Sequence, residues 1–321
     1  MLLAISVFPA ADTTASSAKI PFEFRDGFIW IKVTLRGCGE PLNFLFDSGA
    51  QVSVINSVTA QRVGLKGTRP AAVAGVGSNT TGFWSQPLEA RAGHVQLPRN
   101  YLLLDLSKLS DACTHSTIDG LVGADFFHDR IVQVDFQSQT LRLLHQTPSE
   151  VGMQILPLRV RPCGMLVPIQ INRSKAQWLR LDTGCASALQ WVTTSVRPAE
   201  GSTRVAVALT SFAVPVTETT VTLGAVRFHQ VPTDLQAKEI FPGEKGLLGN
   251  GLLARFETVT IDALGKKLIL GRVRTADATT SPAQSGAVGH SAKHGCGHAS
   301  TTGIAPEPAD WQQTLCSEAP R

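Results

Sequence analysis

Two short stretches of this chain could do chemistry together. Phe44-Leu45-Phe46-Asp47-Ser48-Gly49-Ala50 and Trp178-Leu179-Arg180-Leu181-Asp182-Thr183-Gly184-Cys185 each set an aspartate, a small hydroxyl residue and a glycine directly after an apolar run. Each is answered downstream by a glycine-apolar-apolar-glycine element, Gly120-Leu121-Val122-Gly123 after 73 residues and Gly246-Leu247-Leu248-Gly249 after 64. A single aspartate triplet of this kind turns up by chance in roughly one chain in several at ordinary residue frequencies. Two copies with the same surroundings mark a duplicated half-site. Brought face to face, Asp47 and Asp182 would share a proton, because like charges that close cannot both ionise. One carboxylate then takes a proton from water while the other carboxyl polarises a carbonyl, which is what water needs to attack as poor an electrophile as an amide.

The neighbours follow from the same requirement. Gly49 and Gly184 permit the tight backbone that lets two loops approach each other. The hydroxyls of Ser48 and Thr183 can bond backbone in the opposite loop, a reciprocal lock that would fix the spacing of the carboxyls. Leu121-Val122-Gly123 and Leu247-Leu248-Gly249 are expected to pack beneath the loops, the glycine leaving room for close backbone passage.

The elements that must hold these residues also repeat. Gly27 precedes Asp47 by 20 residues and Gly164 precedes Asp182 by 18, each glycine opening a strand-like run, Phe28 to Leu35 and Met165 to Ile171. After each glycine-flanked element come two further strands, expected over 131–136 with 140–144 and over 259–263 with 267–270. Alternating β-branched and apolar residues dominate, with turn residues at short intervals, so the reading is all-β with compact barrels. Helical signals are few: Asn56-Ser57 can cap a short helix from Val58 to Val63, stopped by Gly64, and 124–128 can make about one turn. Pro148 to Gly152 reads as the join. The expected divisions are 1–20 as an N-terminal tail, 21–148 and 149–274 as the halves, and 275–321 as a disordered tail rich in Ala, Thr, Ser, Gly and Pro.

Bulk properties narrow the partners. At 321 residues the chain is long enough for two cores, and 43% hydrophobic with 17% charged residues is ordinary for a globular protein. Lys+Arg 29 against Asp+Glu 25 leaves +4, too small a balance to imply nucleic acid or an acidic membrane. No run is long enough to span a bilayer. Residues 1–11 are apolar and are followed by a small, polar segment, like the later part of a secretory signal, so an exported protein is expected; the bland alternative is an apolar tail on a cytoplasmic one. Six cysteines, at 38, 113, 163, 185, 296 and 316, show neither a paired C-x-x-C nor zinc-finger spacing, and their pairing stays open.

On these motifs the chain resembles the retropepsin-like and pepsin-like aspartic peptidases, above all single-chain bacterial members with two retropepsin-type halves, over residues 21 to about 272. The resemblance implies two β-barrel halves related by pseudo-twofold symmetry, an Asp47/Asp182 dyad with Ser48 and Thr183 as the lock, no metal or organic cofactor, and an extended peptide or protein substrate bound as an added strand. Both half-sites in one chain imply a monomer. Glycine-rich Gly75-Val76-Gly77-Ser78 reads as a flap over substrate, with a static turn as the alternative. Its counterpart near 207–212 lacks glycine, so a single flap is expected. The sequence departs from the pepsin pattern in having Ala50 and Cys185 after the triplets and no tyrosine in the flap; Trp84 reads as a core residue rather than a replacement. Without hydroxyls at 50 and 185 to steady the ionised form, the dyad is expected to work best at mildly acidic pH. Rival readings are a catalytically inactive peptide-binding module of the same fold, a metal site from His290, His294, Cys296 and His298, and a thiol hydrolase using Cys185.

Overall fold

The structure, a computed structural model, describes residues 18–274 except 76, 77, 114, 115, 149–151, 194–201, 208, 209, 238, 240 and 242. Strands dominate, with three short α-helices and one 3-10 turn among the described residues.

The first strands are set by alternation and by one turn. Lys19–Arg25 and Phe28–Leu35 form a hairpin across Asp26-Gly27, both with positive φ (55° and 79°), the geometry whose twist suits a two-residue connection. Phe28–Leu35 buries Ile29, Ile31, Val33 and Leu35 and leaves Lys32 and Thr34 exposed. It pairs antiparallel with Leu42–Phe46, which lies parallel to Gly120–Val122 with Leu45 opposite Leu121. Gly120–Val122 pairs antiparallel with Val54–Asn56, and that strand runs parallel to Leu102–Leu104.

The same order of pairings recurs later in the chain. Gly164–Ile171 pairs antiparallel with Gln177–Leu181, which is parallel to Gly246–Leu248. Gly246–Leu248 is antiparallel to Leu189–Val192, which is parallel to Val226–Gln236. In both places the aspartate leaves the end of a buried strand flanked by two others.

A further sheet draws strands from both stretches of chain. Its order is Gln154–Pro157, Lys267–Leu270, Thr258–Asp262, Ile131–Asp135, Thr140–Leu144, Lys19–Arg25, with Val132 opposite Ile261 at its centre. Inside it Gln133 Nε2 donates to Thr260 Oγ1 at 3.1 Å, a buried polar pair. One continuous apolar core runs beneath, from Ile20 and Ile29 through Val132 and Leu141 to Ile261 and Leu270.

Helices appear where local signals are strong. Ser57–Arg62 is capped by Asn56, whose side chain accepts from Val58 N, and the chain leaves it through Gly64 at φ 73°. Ala124–Phe127 is a 3-10 turn. Ser107–Cys113 was not anticipated, although Asp105 accepts from Ser107 N at 2.9 Å and Leu106 and Leu109 fall three apart on the buried side. Trp84 is partly buried against a second apolar cluster built on Trp30, Leu45, Leu102 and Leu121.

The second stretch also raises a hairpin, Ser202–Val207 against Thr210–Leu223, with a two-residue connection like the one joining Gly67–Gly75 to Ser78–Ser85. Pairing of alternating β-branched strands suffices to hold it. Cys163 is disulfide-bonded, while Cys38 and Cys185 are free thiols. Among the described residues no helix is long and apolar enough to cross a membrane. Of the expected N-terminal tail, Lys19 and Ile20 belong to the first strand, with Ile20 buried; residues 1–17 and 275–321 lie outside the described residues.

Candidate active site

Leu42–Phe46 ends in Asp47, whose backbone N–H still joins the parallel ladder by donating to Val122 O at 2.9 Å. Beneath it Phe44 and Phe46 are fully buried, Phe46 against Phe126 and Phe127 at ring distances of 5.6 and 5.1 Å. Gln177–Leu181 ends in the same way: Asp182 N donates to Leu248 O at 3.0 Å. A Cβ on Gly123 would strike the backbone of Val52, and one on Gly249 the carbonyls of Ser187 and Cys185, so both glycines mark close backbone passage under the turns.

The two turns are tied to each other reciprocally. Ser48 N donates to Thr183 Oγ1 at 2.9 Å and Thr183 N to Ser48 Oγ at 3.0 Å. Each hydroxyl then donates across to the strand before the opposite aspartate, Thr183 Oγ1 to Phe46 O at 2.8 Å and Ser48 Oγ to Leu181 O at 2.9 Å. All four bonds are buried.

The carboxyls are seated crosswise. A Cβ placed on Gly49 would fall on the carboxyl group of Asp182, and one placed on Gly184 would fall on that of Asp47. Glycine is therefore required at both positions by the approach of the opposite aspartate rather than by its own φ. The two side chains lie within hydrogen-bonding reach of one another. Asp47 Oδ1 accepts from Gly49 N at 2.9 Å and Ala50 N at 3.0 Å; Asp182 Oδ1 accepts from Gly184 N at 2.9 Å.

These surroundings make the pair unequal. Burial raises Asp47 above the ordinary carboxyl range, opposed by the N–H groups of Ala50 and Gly49 and by the positive charge of Arg180. Burial and then the charge of Asp47 push Asp182 well above that range, opposed by Arg180 and a single N–H. Asp182, only 9% exposed, accepts from one backbone N–H where Asp47 accepts from two. Burial and the neighbouring Asp182 also push the Cys185 thiol well up, which disfavours the thiolate that a thiol hydrolase requires.

Three residues of the site escaped the sequence reading. Arg180, only 2% exposed, lies on the strand before Asp182; its Nε and Nη2 donate to the two oxygens of Glu244 at 2.7 and 2.6 Å, and its Nη1 donates to Gly49 O at 3.0 Å. An arginine inside the apolar run Trp178-Leu179-Arg180-Leu181 was the available signal. Asn250 Nδ2 bonds Thr183 O at 2.6 Å and Gly27 O at 2.8 Å, bracing the second turn against the first hairpin. Asp125 accepts from both Ser53 N and Ser53 Oγ, at 3.0 and 2.8 Å.

The structure thus brings together Asp47, Ser48, Gly49, Asp182, Thr183 and Gly184. Gly75 and Ser78 are cross-strand partners at the end of their hairpin, and Val76 and Gly77 lie outside the described residues, as do His290, His294, Cys296 and His298. No group of three or more His, Cys, Asp or Glu suited to a metal occurs among the described residues.

A mostly β frame carrying paired Asp-Ser/Thr-Gly turns is similar to the site of the aspartyl proteases. Residues 31–126 match the family model described as aspartyl protease, a span that includes Asp47, Ser48, Gly49 and the Gly120–Val122 strand. The chain resembles the retropepsin-like members of that family. No curated protein matches it.

Proposed function

We propose that this chain is an aspartic endopeptidase in which Asp47 and Asp182 activate the water that hydrolyses a peptide bond. The observation that carries the reading is the crosswise seat of the carboxyls, each against the glycine of the other's turn, with Ser48 and Thr183 bonded reciprocally beneath. Such an arrangement holds two acids at one spacing, and a pair so held takes one proton between them.

The inequality of their surroundings supports one order for the first step. Asp47, with two N–H donors, is the carboxylate that takes a proton from water as the water oxygen attacks the peptide carbonyl carbon. Asp182 gives its proton to the carbonyl oxygen, leaving a neutral gem-diol. Collapse returns the proton from Asp47 to the departing amine nitrogen while a gem-diol hydroxyl gives its proton back to Asp182, so the pair ends as it began.

Cleavage of a peptide library across pH, with and without a statine-type inhibitor, tests the proposal. The expected result is inhibitor-sensitive cleavage with a bell-shaped profile in the mildly acidic range, since neither Ala50 nor Cys185 offers a hydroxyl to the carboxyls and burial raises both. A rate maximum below about pH 3 overturns the pH argument. Asp47→Asn and Asp182→Asn should each abolish turnover; a binding module of the same fold would keep its peptide affinity and show no turnover to lose.

A further inference from the structure

We propose that Arg180 is a positioning residue for the carboxyl pair: its guanidinium ties the Asp182 strand to the Asp47 turn and supplies a fixed positive charge that Glu244 partly offsets. The inference rests on the peptidase reading and extends it to two residues outside the paired motifs.

The geometry is that of a guanidinium built into the site. Arg180 lies on the strand Gln177–Leu181 and Asp182 follows that strand directly, its N–H still bonded to Leu248 O. Nε and Nη2 grip both oxygens of Glu244, and Nη1 donates to Gly49 O at 3.0 Å and Cys163 O at 2.6 Å. Phe241 covers the guanidinium plane at 3.9 Å. Room for it is made in the backbone: a Cβ on Gly164, at φ 153°, would overlap Nη1. Gly49 is consequently held at both ends, its N–H by Asp47 and its carbonyl by Arg180. Arg180 therefore reaches the turn of one aspartate from the strand of the other.

Packing alone does not call for this pair. A buried Arg–Glu bridge is often matched or exceeded in stability by apolar residues of the same volume, because desolvating two charges costs about what their attraction returns. Apolar residues could neither donate to Gly49 O nor place a charge beside the carboxyls. The titratable and charged groups on the elements around the pair are Arg180 on Gln177–Leu181, Glu244 bonded to it from the connection before Gly246, the Cys185 thiol in the second turn, and Asp234 on Val226–Gln236, which acts on Cys185 and is held by the Ser187 hydroxyl. Arg180 is the cation among them and lowers the proton affinity of both carboxyls.

Opposite charge changes give the test. Arg180→Met, Arg180→Lys and Glu244→Gln are compared with wild type by pH profiles of kcat and KM on one library-derived peptide, with circular dichroism as the check on folding. Loss of the cation in Arg180→Met should move the bell upward by about one pH unit and lower kcat at least tenfold. Glu244→Gln, which leaves the cation uncompensated, should move it downward by a similar amount. Arg180→Lys keeps the charge without the fork, so its bell should stay in place while kcat falls. A purely structural role would lower activity or stability in all three with the profile fixed, and that outcome, or shifts of the same sign in Met and Gln variants, overturns the proposal. Should Arg180→Met not fold, an unmoved profile in Glu244→Gln overturns it alone. Wild type that neither cleaves peptides nor binds the statine inhibitor instead defeats the peptidase reading, before any variant is compared.

Discussion

Replacing Thr183 with valine removes one oxygen while keeping the branched shape of the side chain. That oxygen accepts from Ser48 N at 2.9 Å and donates to Phe46 O at 2.8 Å, and both partner residues are 0% exposed. Neither stranded group can turn to water, and an unsatisfied buried donor or acceptor costs about 1–3 kcal/mol, so the change should destabilise the protein by about 2–6 kcal/mol. Thr183→Ser keeps the oxygen and loses a methyl, at a cost of about 1 kcal/mol. Urea unfolding of the three proteins at one pH measures the difference directly. Turnover should fall with stability in the valine variant, because Asp182 is the adjacent residue and its carboxyl is seated against the turn that Thr183 pins. Equal midpoints for the valine and serine variants would show that the hydroxyl bonds are not what holds the turns together.

Other perturbations reach the carboxyls themselves. Asp182 binds its proton more tightly folded than unfolded, so its stabilising contribution is complete below the ordinary carboxyl value of about 4 and is lost as pH rises through the raised folded value. Asp182→Asn should therefore gain in unfolding free energy relative to wild type as pH goes from about 4 to 7, with a slope of at most about 1.4 kcal/mol per pH unit in urea titrations; a constant difference contradicts the sign. Gly49→Ala should cost at least about a hundredfold in kcat, because the new methyl falls on the Asp182 carboxyl and must displace it, and a misplaced reacting group loses on that scale. Gly39→Ala, where a Cβ meets nothing within 4 Å, is the control and should leave kcat unchanged.

The paired turns were legible because their signal is local and stated twice. Asp47, Ser48 and Gly49 lie within one turn, and the recurrence at Asp182, Thr183 and Gly184 named the partner without any knowledge of the path between them. The capped helix Ser57–Arg62 was readable for the same reason, its cap and stop lying within eight residues. Arg180 was different: its partners lie 64 residues ahead and 131 behind, and nothing near it in the chain announces Glu244 or Gly49. The strand exchange that sets Ile131–Asp135 beside Thr258–Asp262 is likewise a product of tertiary pairing, since each strand reads equally well with any apolar neighbour.

That exchange has a bearing on biosynthesis. Ile131–Asp135 lacks one of its two neighbours until Thr258–Asp262 has been made, so during translation the earlier part of the chain must wait with an open strand edge while more than a hundred further residues leave the ribosome. Ser48 waits equally for Thr183. A polypeptide ended before residue 182 therefore contains one aspartate without its counterpart, and the strand that carries Asp182 gains its parallel partner only when Gly246–Leu248 has been made.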